Sequence, residues 1–375
     1  MSIVTQVHLA DVHFGAINPL EEYKILEEQF LAPLSYINFD ILSIDGDLFD
    51  RKFSANSMVV SYAIQFVHNC AAICRAKNAA LILISGTESH DASQLSLFYD
   101  LARDPTEEVF IVEHIKFIYT KGLKILCIPE EYGKGYAYYE NFLKEQYDCV
   151  FMHGTFVGAV PGANMEDLDN KRSPIFSIQS FSGCKGPIIS GHIHTGMCLS
   201  NHMYYVSSPI RYKFGEEQPK GYAIVVLNTD TYQYTYDFME IVSFRYDTIP
   251  IGALGTEDPD QMIKALTAMQ ANGISHIRLD CTGMPVWQQE ILQKWVHENP
   301  NRGIKLYNTT RQTTDTTQIT DGSVNTTDEI LDKFKGMEFL LDETIDPQVK
   351  FFMYLQFNEG NSFISIEHLK ELLSK

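Results

Sequence analysis

The chain has 375 residues, of which 45% are hydrophobic and 21% charged, and its formal net charge at pH 7 is −19. This length allows one large domain with one or two smaller ones. The acidic balance argues against a broad electrostatic contact with nucleic acid, although a nuclease could borrow a basic surface from a partner.

Membrane and secretory classes are disfavoured. No stretch approaches the roughly 18 consecutive apolar residues of a membrane-spanning helix, and the first ten residues read directly as a strand without a signal peptide. The seven cysteines are an odd number with no CxxC pair, which is typical of a reducing compartment. We therefore expect a cytoplasmic protein that makes no membrane contact.

The first 90 residues alternate between strand-like apolar runs and segments whose apolar residues have helical spacing. The order β-α-β-α-β indicates a layered α/β domain. In such sheets ligands gather at the carboxyl ends of the strands. The strand-like runs are 3–9, 39–44 and 80–84, and the helical segments are 20–37 and 58–76.

Further strands and one helix complete the predicted domain, which we bound at residues 1–246. Lys121-Gly122 lies between two apolar runs and favours a hairpin turn. Residues 158–170 read as a loop rich in Gly, Pro and Asp. The predicted strands are 115–120, 123–128, 149–152, 187–190, 203–206, 222–227 and 231–238, and the predicted helix is 136–146.

The pattern changes near residue 247. Asp258-Pro259 favours a helix start and Gly273 a helix end, and together with the following pattern they predict a small α/β unit over residues 247–308. Residues 309–327 are polar and threonine-rich, as in a linker. Residues 328–375 contain two amphipathic helical patterns, which would pack on this protein or on a partner.

Polar side chains follow the apolar runs at several points. Any one such cluster is more often a cap or a solvated loop, but their repetition after successive strands favours a shared site. Carboxylates with imidazoles suit Mn²⁺, Fe²⁺ or Zn²⁺, and two ions roughly 3.5–4 Å apart can activate water and clamp a phosphoryl group. The residues are Asp11, His13, Asp47, Asp50, His90, Asp91, His153, His192 and His194.

The order of these motifs resembles that of the calcineurin-like metallophosphoesterases, which share DxH, GDxxD, GNH, GH and GHxH. Within that superfamily the chain looks most like the SbcD-type DNA double-strand-break nucleases of bacteria and phages. The supporting segments are Gly46-Asp47-Leu48-Phe49-Asp50, Ser207-Ser208-Pro209-Ile210-Arg211 and Phe214-Gly215-Glu216. The resemblance implies an α-β-β-α sandwich, with a cap at 247–308 and a C-terminal helical segment.

The resemblance also implies a dinuclear centre, expected to hold two Mn²⁺, with Mg²⁺, Fe²⁺ or Zn²⁺ as alternatives. His90 would act as general acid or transition-state stabiliser, and Asp50 would orient a neighbouring group. The implied metal ligands are Asp11, His13, Asp47 and His194 for one ion, and Asp47, His153, His192 and the residue matching the family asparagine for the other.

One position departs from the family. Where the family has Gly-Asn-His, this chain has Gly86-Thr87-Glu88-Ser89-His90. Aligned on His90, the asparagine position holds Ser89, a poor ligand, and Glu88 is a stronger candidate that could reach in instead. The second ion is therefore the less secure of the two.

The resemblance implies a DNA exo/endonuclease subunit of a repair and recombination complex, acting in a cytoplasm that could be that of a phage host. Its implied partners are DNA, an SbcC-type ATPase gripped by residues 328–375 through its coiled coil, and a second copy of the chain. The alternatives are a dinuclear phosphoesterase with a non-DNA substrate and a weakly active scaffold subunit.

Overall fold

The structure is a computed structural model, which describes residues 2–91, 93–159 and 174–307. The chain divides into two compact units, Met1–Asn308 and Thr309–Lys375. The predicted linker 309–327, the predicted helical segment 328–375 and most of the predicted loop 158–170 lie outside the described residues. Among the described helices, none is long and apolar enough to cross a membrane.

The strands of the described residues belong to two large sheets, one small sheet and one short pair. In chain order they are β1 (Ile3–Leu9), β2 (Ile41–Asp45), β3 (Ala80–Ile84), β4 (Val109–Val112), β5 (Lys116–Thr120), β6 (Leu123–Ile128), β7 (Cys149–His153), β8 (Thr155–Phe156), β9 (Ile175–Phe176), β10 (Ile188–Gly191), β11 (Met197–Ser200), β12 (Met203–Tyr205), β13 (Gly221–Asn228), β14 (Tyr234–Glu240), β15 (Tyr246–Pro250), β16 (His276–Asp280) and β17 (Ile304–Tyr307).

Each large sheet has six strands, in the orders β14-β13-β1-β2-β3-β4 and β11-β12-β10-β7-β6-β5. The central strands β1 to β4 of the first sheet run parallel, and so do β6, β7, β10 and β12 of the second. The outer strands β13, β14, β5 and β11 pair antiparallel. Several parallel strands of each sheet therefore end at one edge, where their loops can meet.

Helices lie between the strands and after them. Along the described chain they are α1 (Pro19–Leu26), α2 (Ala32–Tyr36), α3 (Met58–Lys77), α4 (Glu88–Asp91), α5 (Tyr136–Leu143), α6 (Pro259–Ala271) and α7 (Val286–Glu298).

Separate apolar clusters show how these elements pack. One cluster joins the two large sheets, with Ile82 of β3 and Phe151 of β7 among its fully buried members. A second cluster packs α1 and α3 on the first sheet, and a third packs α5 on the second sheet. The small sheet β15-β16-β17 has its own core, shared with α6 and α7.

The α/β class predicted from the sequence is confirmed, and several element bounds agree with it to the residue. The predicted helix 20–37 is interrupted, because α1 and α2 are separated by a π-turn at Glu27–Leu31. Pro33 lies in the first turn of α2, and its ring excludes the ordinary helical hydrogen bond to the fourth residue before it. The sequence patterns also missed β4, β8, β9, β11 and β15, of which β4 is an apolar run of four residues.

Candidate metal centre

The polar residues picked out by the sequence converge where the parallel strands of both sheets end. Asp11 and His13 follow β1, and Asp47 follows the neighbouring strand β2. His153 ends β7, and His192 follows the neighbouring strand β10. The fold thus brings together side chains that are far apart in the chain, such as those of His13 and His194, which are separated by 181 residues.

The backbone at this edge has positive φ values, which residues other than glycine rarely adopt. Asp11, His13, Asp47 and His192 all have positive φ values, of 53°, 51°, 49° and 90°. Hydrogen bonds between the loops hold this geometry, among them the bond from the His13 amide to the Asp47 carbonyl at 2.9 Å. Such strain concentrates at functional sites, where the surrounding structure compensates for it.

Two glycines let the loops approach closely. A side chain at Gly46, whose φ is +88°, would place its Cβ 2.2 Å from Nδ1 of His153. A Cβ at Gly86 would lie 2.2 Å from both the backbone nitrogen and Oδ1 of Asp47. Glycine is required at both positions because the neighbouring loop occupies that space.

One group of ligand-type atoms consists of Asp11, His13 and His194, whose atoms lie within 4.8 Å of one another. Nε2 of His13 and Nε2 of His194 are 2.9 Å apart. The Asp11 carboxylate accepts the His192 amide with both oxygens at 3.0 Å. Outside the group, Nδ1 of His194 is 3.2 Å from the Glu216 carboxylate.

Asp47 lies between two groups of histidines. Its Oδ2 is 3.7 Å from Nε2 of His13 and 3.3 Å from Nε2 of His153. Its Oδ1 accepts the Thr87 amide at 2.6 Å. One carboxylate oxygen therefore faces both sides of the cluster, as a bridging ligand does.

A further group consists of Glu130, His153 and His192. Oε2 of Glu130 is 3.0 Å from Nδ1 of His192 and 3.5 Å from Nε2 of His153. The side chains of Glu130 and His153 are fully buried, whereas that of His192 is 26% exposed. The group is thus open to solvent on one side only.

Hydrogen bonding indicates that the cluster suits a cation. Nδ1 of His153 is 2.8 Å from the Asp45 carbonyl, which can only accept, so Nδ1 carries the proton. In the neutral imidazole, Nε2 then presents a lone pair to the Asp47 and Glu130 carboxylates, and this buried nitrogen has no hydrogen-bond partner. Burial opposes protonation of His153, but Asp47, followed by Asp11 and Glu130, raises its pKa well above the usual value. The carboxylates therefore favour positive charge at this nitrogen, and a metal ion that displaces the proton supplies it.

The charged groups of the cluster change one another's pKa values. Burial lowers the pKa of His13 to about 3, which keeps this imidazole neutral. Burial opposes ionisation of Asp47, but the surrounding histidines, His153 foremost, lower the pKa of this carboxyl below its usual value. Burial also raises the pKa of Asp11, against the effect of His153 and His194. Neutral imidazoles and ionised carboxylates are the forms that bind metals.

His90 and Asp50 lie at the side of the centre. With His13 they form a group whose ligand-type atoms lie within 4.8 Å of one another, and the His13 and His90 rings are 4.8 Å apart. Nδ1 of His90 is buried without a hydrogen-bond partner. Both side chains are half-buried, so they can face a substrate.

Asp91 connects two of the loops. Its carboxylate accepts the Phe49 amide at 3.1 Å and the Gly86 amide at 2.9 Å. Burial, followed by the nearby charge of Asp47, raises the pKa of Asp91 to about 7. This side chain holds the loop after β2 against the loop after β3.

The structure does not bring every predicted ligand into the centre. Ser89 and Glu88 are exposed, and Glu88 is in none of the described groups of ligand-type side chains. Thr87 instead faces the centre, with Oγ1 3.2 Å from both the Asp47 and the Glu130 carboxylates. Thr87 and Glu130, rather than Ser89 or Glu88, thus line the centre.

The sequence patterns assigned no role in the site to Glu130, Glu216 or Tyr212, although Phe214-Gly215-Glu216 contributed to the family resemblance. Glu130 follows the apolar run of β6, as Asp11 and Asp47 follow theirs, so the same strand-end signal was present. Tyr212 donates a hydrogen bond to the Val12 carbonyl, and its ring lies 5.7 Å from that of His13. Glu216 and Tyr212 belong to the long loop between β12 and β13, where no periodicity marks them.

Comparisons with known proteins give two curated viral relatives of low identity. "Putative phosphoesterase 244L" of Invertebrate iridescent virus 6 is 23% identical over 227 residues, covering 59% of this chain and 75% of the relative. "Putative phosphoesterase 078R" of Invertebrate iridescent virus 3 is 22% identical over 267 residues, covering 67% and 71%. No family model matches the chain.

Among solved structures, the cold-active protein-tyrosine phosphatase of a Shewanella species overlaps 63% of this chain and 80% of its own, at 12% identity and a TM-score of 0.32. A TM-score this low carries no argument about fold or chemistry. The curated matches show that the chain is similar to proteins named as phosphoesterases, and its own residues form clusters that could bind metal ions.

Proposed function

We propose that this protein is a metal-dependent phosphoesterase with a dinuclear centre. The observation that carries the proposal is the convergence of carboxylate oxygens and imidazole lone pairs around Asp47, with the buried Nε2 of His153 left without a hydrogen-bond partner. The two viral relatives named as phosphoesterases support the same reaction class.

The first ion would be held by Asp11, His13, Asp47 and His194, and the second by Asp47, His153 and His192. When bound, divalent ions such as Mn²⁺ would polarise the phosphoryl group and activate water. Burial keeps the His13 imidazole neutral. The Asp45 carbonyl fixes the orientation of His153, and Glu216 fixes that of His194.

His90 is the proposed acid for the leaving oxygen. Its half-buried ring lies beside His13 and Asp50. From this position it can donate a proton or a hydrogen bond to the oxygen that departs, a contribution of roughly 10²–10⁴ in rate for general acids. Asp50 would orient the His90 ring.

The finer proposal is that the substrate is a DNA phosphodiester. The motif order and the SbcD-type resemblance support it, and Arg51 and Lys52 are exposed directly after Asp50, where they could meet a phosphate backbone. The α-β-β-α layering, a DNA-orienting cap at 247–308, a homodimer and an SbcC-type ATPase bound by 328–375 belong to the same proposal. The net charge of −19 favours a smaller, non-DNA phosphoester as the second candidate.

The test compares substrates with the purified full chain and Mn²⁺. We expect hydrolysis of a chromogenic phosphodiester and of single- or double-stranded DNA, and loss of both with a chelator. Hydrolysis of the chromogenic ester without DNA cleavage would favour the second candidate. Failure on every phosphoester while the ions are bound would reject the proposed function.

Two variants assign the activity to this centre. His90→Asn should lower the rate roughly 10²–10⁴-fold with unchanged metal content. His68→Asn is the matched control, because its side chain is 41% exposed beside Asp100. Full activity in His90→Asn would contradict the role proposed for this residue.

A further inference from the structure

We infer that Glu130 is a direct ligand of the second ion and takes the place of the asparagine that this chain lacks. The inference rests on the metal-binding part of the proposed function. It concerns a residue that follows β6 rather than one on the loop after β3, where the motif of the family places its asparagine.

The position of Glu130 is the first support. Its backbone nitrogen donates to the Ser85 carbonyl at 3.3 Å, and its Oε2 lies 3.2 Å from Oγ1 of Thr87. Glu130 is therefore anchored against the loop that would carry the asparagine. Its side chain is fully buried and directed towards the centre.

The distances are the second support. Oε2 of Glu130, Nδ1 of His192 and Nε2 of His153 face one another at 3.0 and 3.5 Å. Atoms that bind one ion at about 2.1 Å and roughly 90° apart lie about 3 Å from each other. The three atoms thus have the mutual spacing of ligands around one ion.

The balance of buried charge is the third support. Nδ1 of His153 faces the Asp45 carbonyl, so the ring turns Nε2 towards both Asp47 and Glu130. Two buried carboxylates that face one ring nitrogen are unfavourable unless positive charge lies among them, and a divalent ion supplies it. Glu130 and Asp47 would together give the second ion two carboxylates, which suits the hard ions Mn²⁺ and Mg²⁺ better than an amide does.

The rival explanation is that Glu130 only accepts a hydrogen bond from His192, while Glu88 or Ser89 moves in to bind the ion. The two explanations differ in which substitution releases an ion. Glu131 supplies a control on the neighbouring position, because its carboxylate is 2.8 Å from Nδ1 of His114 and accepts the Ile115 amide, away from the cluster.

The experiment measures Mn²⁺ bound to the full chain by equilibrium dialysis and elemental analysis, together with the electron paramagnetic resonance spectrum. We expect two ions and a spin-coupled spectrum in the unmodified protein and in Glu131→Gln. Glu130→Ala should keep one ion, show an uncoupled spectrum, and weaken the second site at least roughly 100-fold. Glu130→Gln, which keeps a neutral oxygen and the shape of the side chain, should have an intermediate affinity.

Other results would overturn the inference. Two coupled ions of unchanged affinity in both Glu130 variants would show that Glu130 is no ligand, and loss of the second ion in Ser89→Ala or Glu88→Ala would assign the ligand to the rival loop. If Glu130→Ala does not fold, as judged by circular dichroism, Glu130→Gln decides alone. Absence of bound ions in the unmodified protein would instead refute the dinuclear centre of the proposed function.

Discussion

At the scale of single residues, the orientation of the histidines is set by groups outside the cluster. The Asp45 carbonyl fixes His153, and Glu216 accepts from Nδ1 of His194. Burial opposes ionisation of Glu216, but the bond to His194 and the charge of Lys220 lower the pKa of Glu216 to about 2. Glu216 therefore stays ionised and directs the other nitrogen of His194 towards the centre.

Replacing Glu216 should weaken the first ion site without removing a ligand. We expect Glu216→Ala to lower Mn²⁺ affinity roughly 10–100-fold, as is typical when the partner of a liganding histidine is lost. Isothermal titration calorimetry measures this change. Glu217→Ala is the control, since its side chain is exposed; equal losses in both variants would contradict the role of Glu216.

Glu22 carries a separate prediction about pH. Burial raises the pKa of this carboxyl well above its usual value; one oxygen accepts the Gly15 amide, and the other has no partner. The folded chain thus binds the Glu22 proton more tightly than the unfolded chain does. This contribution to stability is present at low pH and is lost as pH rises from the unfolded value through the folded one.

Glu22→Gln should therefore flatten the fall in stability above the unfolded pKa of Glu22. At pH 8 we expect a gain on the order of 1 kcal/mol or more in the free energy of unfolding, and a smaller difference near pH 4. Denaturant unfolding with a chelator present at both pH values measures it. Glu21→Gln, at an exposed neighbouring position, should leave the profile unchanged, and a wild-type slope in Glu22→Gln would refute the assignment.

At the scale of elements, the centre depends on how closely the strand-end loops approach. Gly86→Ala would place a Cβ 2.2 Å from the backbone nitrogen of Asp47. We expect at least a tenfold loss of Mn²⁺ affinity with the fold retained, because the loop after β3 must move away from Asp47 to relieve this contact. Gly252→Ala is the control, since a Cβ there meets nothing within 4 Å. Unchanged metal binding in Gly86→Ala would mean that the loop after β3 does not constrain Asp47.

The sequence predicts most of these elements, for a physical reason. Buried parallel strands are short apolar runs, and β1, β3 and β6 agree with the predicted bounds to the residue. The loop between β12 and β13 has no such signal. This loop nevertheless connects the centre to the small α/β unit. The ring centroids of Phe214 and Tyr246 are 5.2 Å apart, and the Arg278 guanidinium lies over the Phe214 ring.

The site residues that directly follow a strand could be predicted from the sequence, because the strands themselves could be. Asp11, Asp47, His153 and His194 follow apolar runs in an order that resembles a known family, and the structure brings them together. Glu130 satisfies the same rule, whereas alignment with the family's motif favours Glu88 and Ser89. The backbone geometry of a loop decides which of its side chains face the centre, and this geometry cannot be read from a single sequence.

At the scale of the whole molecule, the net charge of −19 bears on which substrate the centre accepts, and the division after Asn308 bears on which partner supplies a basic surface. The proposed ATPase partner would supply the basic surface for DNA. We expect deletion of residues 328–375 to abolish co-purification with such an ATPase and to leave hydrolysis of a chromogenic phosphodiester within about twofold, because the described centre lies within residues 11–216. A pull-down that survives the deletion would remove the docking role of this segment.

The central claim is that these strand ends hold two metal ions around Asp47. Anomalous diffraction from crystals soaked in Mn²⁺ tests it most directly. We predict two peaks per chain, separated by roughly 3.5–4 Å and sharing the Asp47 carboxylate. One isolated peak, or strong peaks only elsewhere on the chain, would contradict the dinuclear centre.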